Sequence, residues 1–150
     1  MTGVWLSDDE QRAWRTYLRM SSLLPAALNR QLQQDCGLTL PEYEVLVQLS
    51  ESPGHRLRPF QICEALNWEQ SRLSHQLGRM RARGLVDRHG SEHDKRGATV
   101  EVTAAGRAAL TAAAPGHVAL VRAVLFDGMT ADQLRALEEV TTAALARLEE

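Results

Sequence analysis

The chain has few of the residues and patterns that mark several classes of protein. Its two cysteines, Cys36 and Cys63, lack CxxC spacing and are too few for a disulfide framework. We find no apolar run near the ~20 residues that a membrane span needs. We also find no basic start followed by an apolar stretch, the pattern of an export signal. No nucleophile–base pairing, phosphate-binding glycine loop or metal-ligand constellation points to an enzyme. We therefore expect a cytoplasmic protein that is not an enzyme, carries no cofactor and has no membrane partner.

What the chain does have is an ordinary globular composition and an uneven distribution of charge. Hydrophobic residues make up 44% and charged residues 24% of 150 residues, which suits a single domain over 1–150. Residues 56–96 carry nine Lys and Arg against five acids, whereas 1–55 and 97–150 each carry four against seven. A basic middle between acidic ends is typical of a nucleic-acid-binding module, but a solvated charged face would have the same composition.

Helix-start signals recur along the chain. Capping-box spacing predicts helices that begin after Ser7, Thr39 and Thr130, and Pro59 suits the first turn of a short helix. The first of these helices is expected to end near Gly37.

Two prolines lie inside the helical patterns at the ends of the chain. Pro25 is expected to kink the first helix, because proline removes a backbone donor. Thr103 is expected to cap an alanine-rich fifth helix that breaks at Pro115 and Gly116.

The helix predicted over 70–83 is the most informative element. Leu73, Leu77 and Met80 form its inner stripe at i, i+4 and i+7, its opposite face is polar, and it contains no acidic residue. A DNA major groove admits one such helix, and a carboxylate there would repel phosphate. Two strands around a polar segment follow within 85–102. The predicted fold is mainly α with a small β-hairpin, a winged helix-turn-helix.

Three stretches of the chain resemble the MarR family of bacterial transcription regulators. GLTLPEYEVL at 37–46 is similar to the family's entry into its second helix. SRLSHQL at 71–77 and GLVDR at 84–88 are similar to its recognition helix and the exit into its wing. DKRG at 94–97, with VTAAG at 102–106, is similar to the wing signature and the start of the fifth helix.

This resemblance covers nearly the whole chain and implies an assembly. Terminal helices over about 7–36 and 104–150 are expected to interlock in a homodimer, from which winged helix-turn-helix lobes over about 39–103 project toward double-stranded DNA. We expect a ligand-responsive repressor that reads an inverted-repeat operator. Helix 70–83 would then lie in the major groove and wing 85–102 in the minor groove.

The resemblance also implies DNA contacts from the wing. Arg96 is expected to enter the minor groove, where the negative potential favours a long cation, and Asp94 is expected to help hold the wing. Lys95 and Arg88 are expected to contact phosphates. The competing interpretation is an exposed ion pair between Asp94 and Arg96 that contributes little to the stability of the fold.

Helix 70–83, together with Arg58 at the start of the third helix, is expected to supply the remaining DNA contacts. Base-edge contacts are assigned to Arg72, which can pair with guanine in bidentate fashion, and to His75. Contacts to phosphates or bases are assigned to Ser71, Ser74 and Gln76. Phosphate contacts are assigned to Arg58 and Arg79. For the serines, a cap or a solvated hydroxyl is an equal alternative, and Trp68 is expected to pack rather than to stack on a base.

An effector cleft is implied by the same resemblance. Family members often bind small aromatic molecules between the dimer helices and the winged lobe. The candidate residues for a small aromatic effector are Trp14, Tyr17, Leu18, Tyr43 and His117. For each of them, simple packing in the core is the competing interpretation.

Three other functions were weighed against this one. Oxidant sensing would use Cys36 or Cys63, but neither lies where the family's thiol sensors carry their cysteine. For metal sensing, the only candidate ligands are His89 and His93. They are four residues apart on a predicted hairpin, and this is not the spacing of metal ligands. A winged-helix module for protein contact is allowed by the acidic ends of the chain.

Overall fold

The computed structural model describes residues 4–90 and 97–150. In chain order the helices are α1 (Asp8–Cys36), α2 (Leu40–Glu51), α3 (Pro59–Leu66), α4 (Gln70–Ala82), α5 (Ala104–Val121) and α6 (Ala131–Leu148). The strands are β1 (Arg56–Leu57), β2 (Val86–His89) and β3 (Thr99–Val102). A 3-10 turn, Pro53–His55, precedes β1, and a π-helical turn, Arg122–Phe126, follows α5. The predicted fold class is confirmed.

Local sequence signals set the helix starts. The predicted capping boxes form at Ser7, Thr39 and Thr130, where each hydroxyl accepts the backbone N–H three residues on. α1 ends as predicted before Gly37, whose φ of 70° is a left-handed conformation that glycine adopts without strain.

The sheet has one strand more than predicted. β3 lies in the middle and pairs antiparallel with β1 on one side and with β2 on the other. The predicted hairpin of β2 and β3 is therefore present, with Val86 opposite Val102. β1 was not predicted. It joins the base of the wing to the segment that precedes α3.

Both prolines lie inside continuous helices, and the kink predicted at Pro25 stays a prediction. α1 runs through Pro25, and α5 runs through Pro115 to Val121, so the predicted break at Pro115 and Gly116 is wrong. A proline removes one hydrogen bond of the helix. The fully buried Ala113, just before Pro115, shows that tertiary packing holds the helix across this point.

The segment Ala104–Phe126 departs from another expectation. Its mean hydropathy of 1.5 over an 18-residue window makes it long and apolar enough, by length and composition alone, to cross a membrane. Only 6% of that window is buried within the single chain. The prediction that no such apolar run exists is therefore wrong, because alanine-rich stretches separated by single polar residues still reach a high mean.

The core lies beneath the winged lobe and orients α4. Its fully buried members come from several elements and include Leu46, Leu49, Ile62, Leu73 and Met80. Burial of such side chains stabilises the fold by roughly 1.5–3 kcal/mol each. Because Leu73 and Met80 anchor α4 from behind, the opposite face of that helix is turned to solvent.

An ion pair between a buried carboxylate and an exposed arginine ties the end of α4 to the start of α2. The carboxylate of Glu42, 4% exposed, accepts hydrogen bonds from Arg83 Nη1 at 2.5 and 2.6 Å and from the Thr39 backbone at 3.0 Å. Arg83 Nη2 also donates to the Gly37 carbonyl at 3.0 Å. These contacts fix the inclination of α4 relative to α2.

One residue, Thr103, separates β3 from α5. Its hydroxyl donates to the Gly84 carbonyl at 2.6 Å and accepts the N–H of Gly106 at 2.9 Å, so it joins the wing root to the first turn of α5. A Cβ on Gly106 would lie 2.2 Å from the Leu85 carbonyl oxygen. The backbone of the wing root and that of α5 therefore meet closely.

Candidate nucleic-acid interface

The exposed face of α4 carries five of the eleven predicted contact residues. The side chains of Ser71, Arg72, Ser74, His75 and Arg79 are all exposed. The helix itself has no acidic residue. α4 therefore presents hydrogen-bond donors and positive charge without a carboxylate that would repel phosphate.

Gln76 does not belong to this face. It is 6% exposed and points toward the core side of α4, where its Oε1 accepts a hydrogen bond from Arg79 Nη2 at 3.3 Å. Gln76 is thus mostly buried in the chain as folded, and its contact with DNA stays a prediction. Its spacing, three residues after Leu73 and four before Met80, places it in the buried stripe.

A groove of about 870 Å³ lies between α4 and the wing. Arg58 enters it from the start of α3, Arg88 from β2, and Arg81 from the last turn of α4. Within the described part of the chain, none of these three guanidinium groups makes an ion pair, and all three are exposed. Asp87 also lines the groove, but three arginines against one carboxylate leave it net positive, which suits an anion such as a phosphate backbone. Sequence reasoning identified Arg58 and Arg88 but missed Arg81, although it lies in the same acid-free helix.

Arg72 is stacked on an aromatic ring. Its guanidinium carbon lies 4.1 Å from the centroid of the Trp68 ring. Trp68 is half-buried and packs against the core, as predicted, but it also supports Arg72. Burial raises the pKa of Glu44 on α2, and the nearby charge of Arg72 partly offsets that rise.

The described part of the wing places Arg88 at the groove and shows an ion cluster at its root. Glu101 on β3 contacts His89 Nε2 at 2.5 Å and Arg56 Nη2 at 3.2 Å, and so links all three strands. The sequence did not reveal this cluster, because it depends on the position of β1. Asp94, Lys95 and Arg96 lie outside the described residues, and their roles stay predictions.

The predicted effector residues fall into two groups. Trp14 and Tyr17 stack with ring centroids 5.7 Å apart on α1, beside Leu18, and all three are about half exposed. Tyr43 and His117 stack 4.3 Å apart, where α2 meets α5. The structure therefore does not bring the five together within one chain.

The second of these groups contains unsatisfied polar atoms. His117 Nδ1 and Gln31 Oε1 are buried without a hydrogen-bond partner among the described residues. Burial lowers the pKa of His117, so the imidazole is neutral over a wider pH range than usual. Burial, together with the charge of Glu51, raises the pKa of Tyr43. Tyr43 and His117 therefore place polar groups where α2 meets α5, and their contact with a small ligand stays a prediction.

Comparison with known proteins identifies the fold. The model of the MarR family matches residues 37–97. The chain is 38% identical to Sco3205, a MarR family transcriptional regulator from Streptomyces coelicolor solved in complex with DNA, with a TM-score of 0.91 over 99% of this chain and 92% of that one. This chain belongs to the MarR family. A second member from Streptomyces coelicolor, AbsC, is 39% identical, with a TM-score of 0.90 over 98% of this chain and 99% of that one.

Curated MarR relatives agree, over a shorter alignment. The repressor YetL from Bacillus subtilis is 29% identical over 89 residues, which are 59% of this chain and 53% of that protein. The regulator HosA from Escherichia coli is 37% identical over 78 residues, which are 52% and 56%. The chain spans about half the length of these curated relatives. The named relatives are transcriptional regulators and not enzymes, in agreement with the prediction.

The cysteines bear on the oxidant-sensing alternative for this MarR member. Burial, and then the charge of Glu69, raise the pKa of the Cys63 thiol, whereas the Cys36 thiol donates to the Leu32 carbonyl at 3.1 Å. Among residues 4–90 and 97–150, no group of three His, Cys, Asp or Glu is placed to hold a metal ion.

Cys63 is expected to react slowly with alkylating agents. A raised pKa leaves less thiolate at pH 8, and the thiolate is the nucleophile. In a Cys36→Ser variant, iodoacetamide should modify Cys63 several-fold more slowly in the folded chain than in the same chain unfolded in urea. The rate is measured by mass spectrometry. Equal or faster modification in the folded chain would contradict the prediction and favour a redox role.

Proposed function

We propose that the chain is a homodimeric transcriptional regulator that binds double-stranded DNA and acts as a ligand-responsive repressor. The observation that carries this proposal is the acid-free exposed face of α4 beside a groove with three arginines that make no ion pair within residues 4–90 and 97–150. Positive charge placed along a helix and an adjoining groove is the footprint of phosphate binding. Because a bacterial operator lies on the chromosome, the proposed place of action is the cytoplasm.

The proposed complex places α4 in the major groove and the wing in the minor groove. Arg72 and His75 would contact base edges, and Arg58, Arg79, Arg81 and Arg88 would contact phosphates. At the wing tip, Arg96 would enter the minor groove, with Lys95 on a phosphate and Asp94 holding the wing. The relative solved in complex with DNA, at 38% identity, supports DNA binding by this chain.

The proposed dimer rests on the terminal helices. No residue of α6 is buried by the part of the chain that the structure describes, although its apolar residues form a stripe. Trp14 and Tyr17 on α1 and Val118 on α5 are also about half exposed. Such helices gain stability only by burying these faces elsewhere, and a second copy of the same chain has matching faces.

The proposed effector is a small aromatic molecule bound near Tyr43 and His117. Its site lies between the winged lobe and the long α5, so a ligand there could favour one orientation of the lobes over another. It would lower DNA affinity only by its differential affinity for the two orientations. A repressor role is supported by the name of the relative YetL.

The operator is expected to be an inverted repeat. Fragments of genomic DNA bound by the purified protein should share two half-sites about one helical turn apart, because two copies of α4 must enter successive major grooves. Sedimentation should find two 16.7 kDa chains in the free and in the bound protein. Selection that enriches no sequence would favour the protein-contact module instead. Bound fragments without two-fold symmetry would contradict the proposed dimer geometry.

A further inference from the structure

Arg72 contacts the ring of Trp68 and also interacts electrostatically with Glu44 on α2. The guanidinium carbon lies 4.1 Å from the ring centroid, a cation–π stack. Within the described residues, Arg72 makes no hydrogen bond and no ion pair, not even with the neighbouring Glu44. Its position is therefore set by the indole face.

A stack of this kind leaves the functional atoms of arginine free. The ring face attracts the positive charge without accepting a directed hydrogen bond from a particular N–H, so the guanidinium donors stay available. Those donors are the ones that pair with O6 and N7 of guanine in the major groove. A salt bridge to a carboxylate would occupy the same donors. Support by an aromatic ring therefore keeps Arg72 able to bind guanine, whereas support by a carboxylate would not.

The Trp68 ring is itself held in place. Its backbone N–H donates to the Cys63 carbonyl at 3.0 Å, and Asn67 before it adopts the left-handed conformation that ends α3. The side chain is half-buried and packs against the core. Trp68 thus connects the core to a side chain on the first turn of α4.

We propose that Trp68 is a positioning residue for sequence recognition, which holds the Arg72 guanidinium ready for a guanine base edge. This inference rests on the proposed function. Arginine loses considerable rotamer freedom when it binds, and ordering such a side chain opposes binding. The stack orders Arg72 before DNA arrives, so Trp68 increases discrimination between operator and other DNA without touching a base.

The test compares specific with non-specific binding. Dissociation constants are measured at one salt concentration for the selected operator and for unrelated duplex of equal length, using wild type, Trp68→Leu, Trp68→Phe and Arg72→Ala. Trp68→Leu is expected to lower the ratio of operator to non-specific affinity by about three- to ten-fold. Its non-specific affinity and salt dependence should stay at wild-type values. Trp68→Phe, which keeps an aromatic face and most of the packing, should retain most of the ratio.

A double-mutant cycle separates positioning from general structure. If Trp68 acts through Arg72, Trp68→Leu should have little further effect in an Arg72→Ala background. His75→Ala is the matched control, because its effect should be equal with either residue at position 68. A Trp68→Leu effect that persists undiminished without Arg72, or an unchanged ratio, would overturn the inference alone. Wild-type protein that binds no duplex DNA would overturn the proposed function and this inference with it.

Discussion

Replacing Arg58, Arg81 and Arg88 together by alanine is expected to reduce operator affinity by roughly 1000-fold at 0.1 M salt, because a dimer would lose six phosphate contacts. All three side chains line the groove between α4 and the wing, and they are exposed without a carboxylate partner in the described chain. Each phosphate that an arginine neutralises releases counterions and adds about 0.9 to the salt slope.

The salt dependence of operator affinity is the most specific test of this prediction. A plot of log K against log salt should become shallower by about five for the triple variant, if each arginine meets one phosphate in each half-site. Non-specific affinity should fall as well, since phosphate contacts carry no sequence information.

A control for net charge is available on other faces of the chain. A triple control variant, with Arg12→Ala, Arg135→Ala and Arg147→Ala, removes the same charge from exposed positions on α1 and α6. Sedimentation first checks that this variant is still a dimer. This control should keep a slope close to that of wild type. A triple groove variant with an unchanged slope would contradict the assignment of these arginines to phosphate.

Gly106→Ala is expected to lower the free energy of unfolding by about 3 kcal/mol, the upper end of the usual cost of overpacking. The added Cβ would lie 2.2 Å from the Leu85 carbonyl oxygen and 2.8 Å from Val102 Cγ2. A backbone carbonyl at the wing root cannot rotate away as a flexible side chain can. α5 must therefore shift, and the N–H of Gly106 that the Thr103 hydroxyl accepts shifts with it.

Gly78→Ala is the matched control, and it is expected to change the free energy of unfolding in the opposite direction. Gly78 also lies within a helix, but a Cβ there meets nothing within 4 Å. Alanine is favoured over glycine in a helix by about 0.5–1 kcal/mol, so this variant should be slightly more stable than wild type. Both are measured by urea unfolding at one protein concentration, because the stability of a dimer depends on concentration. A Gly106→Ala variant as stable as wild type would contradict the close packing described here.

The features that could be predicted from the sequence are those with a local cause. A capping box involves residues three apart, so Thr39 and Thr130 identify helix starts without knowledge of the rest of the fold. The apolar stripe of α4 likewise gave the buried side of that helix. The same spacing indicates that Gln76 lies on the buried side, but this was overlooked because glutamine is polar.

Features with a distant cause were not predictable in this way. β1 has two residues and exists because Arg56 and Leu57 pair with β3 more than forty residues later in the chain. The Glu42–Arg83 ion pair likewise spans 41 positions. Continuity of α5 through Pro115 depends on packing around Ala113, which no local rule for proline can supply. Arg81 was missed because its position at a candidate phosphate site depends on the groove that the wing completes.

The single residue between β3 and α5 has a mechanical consequence. A longer connection would absorb a rotation of the helix, but Thr103 is bonded on both sides and provides no slack. Tilting α5 by a few degrees therefore swings the strand direction of the hairpin by a similar angle. In a pair of chains joined along their long helices, the distance between the two hairpin ends would then follow the angle at which those helices cross.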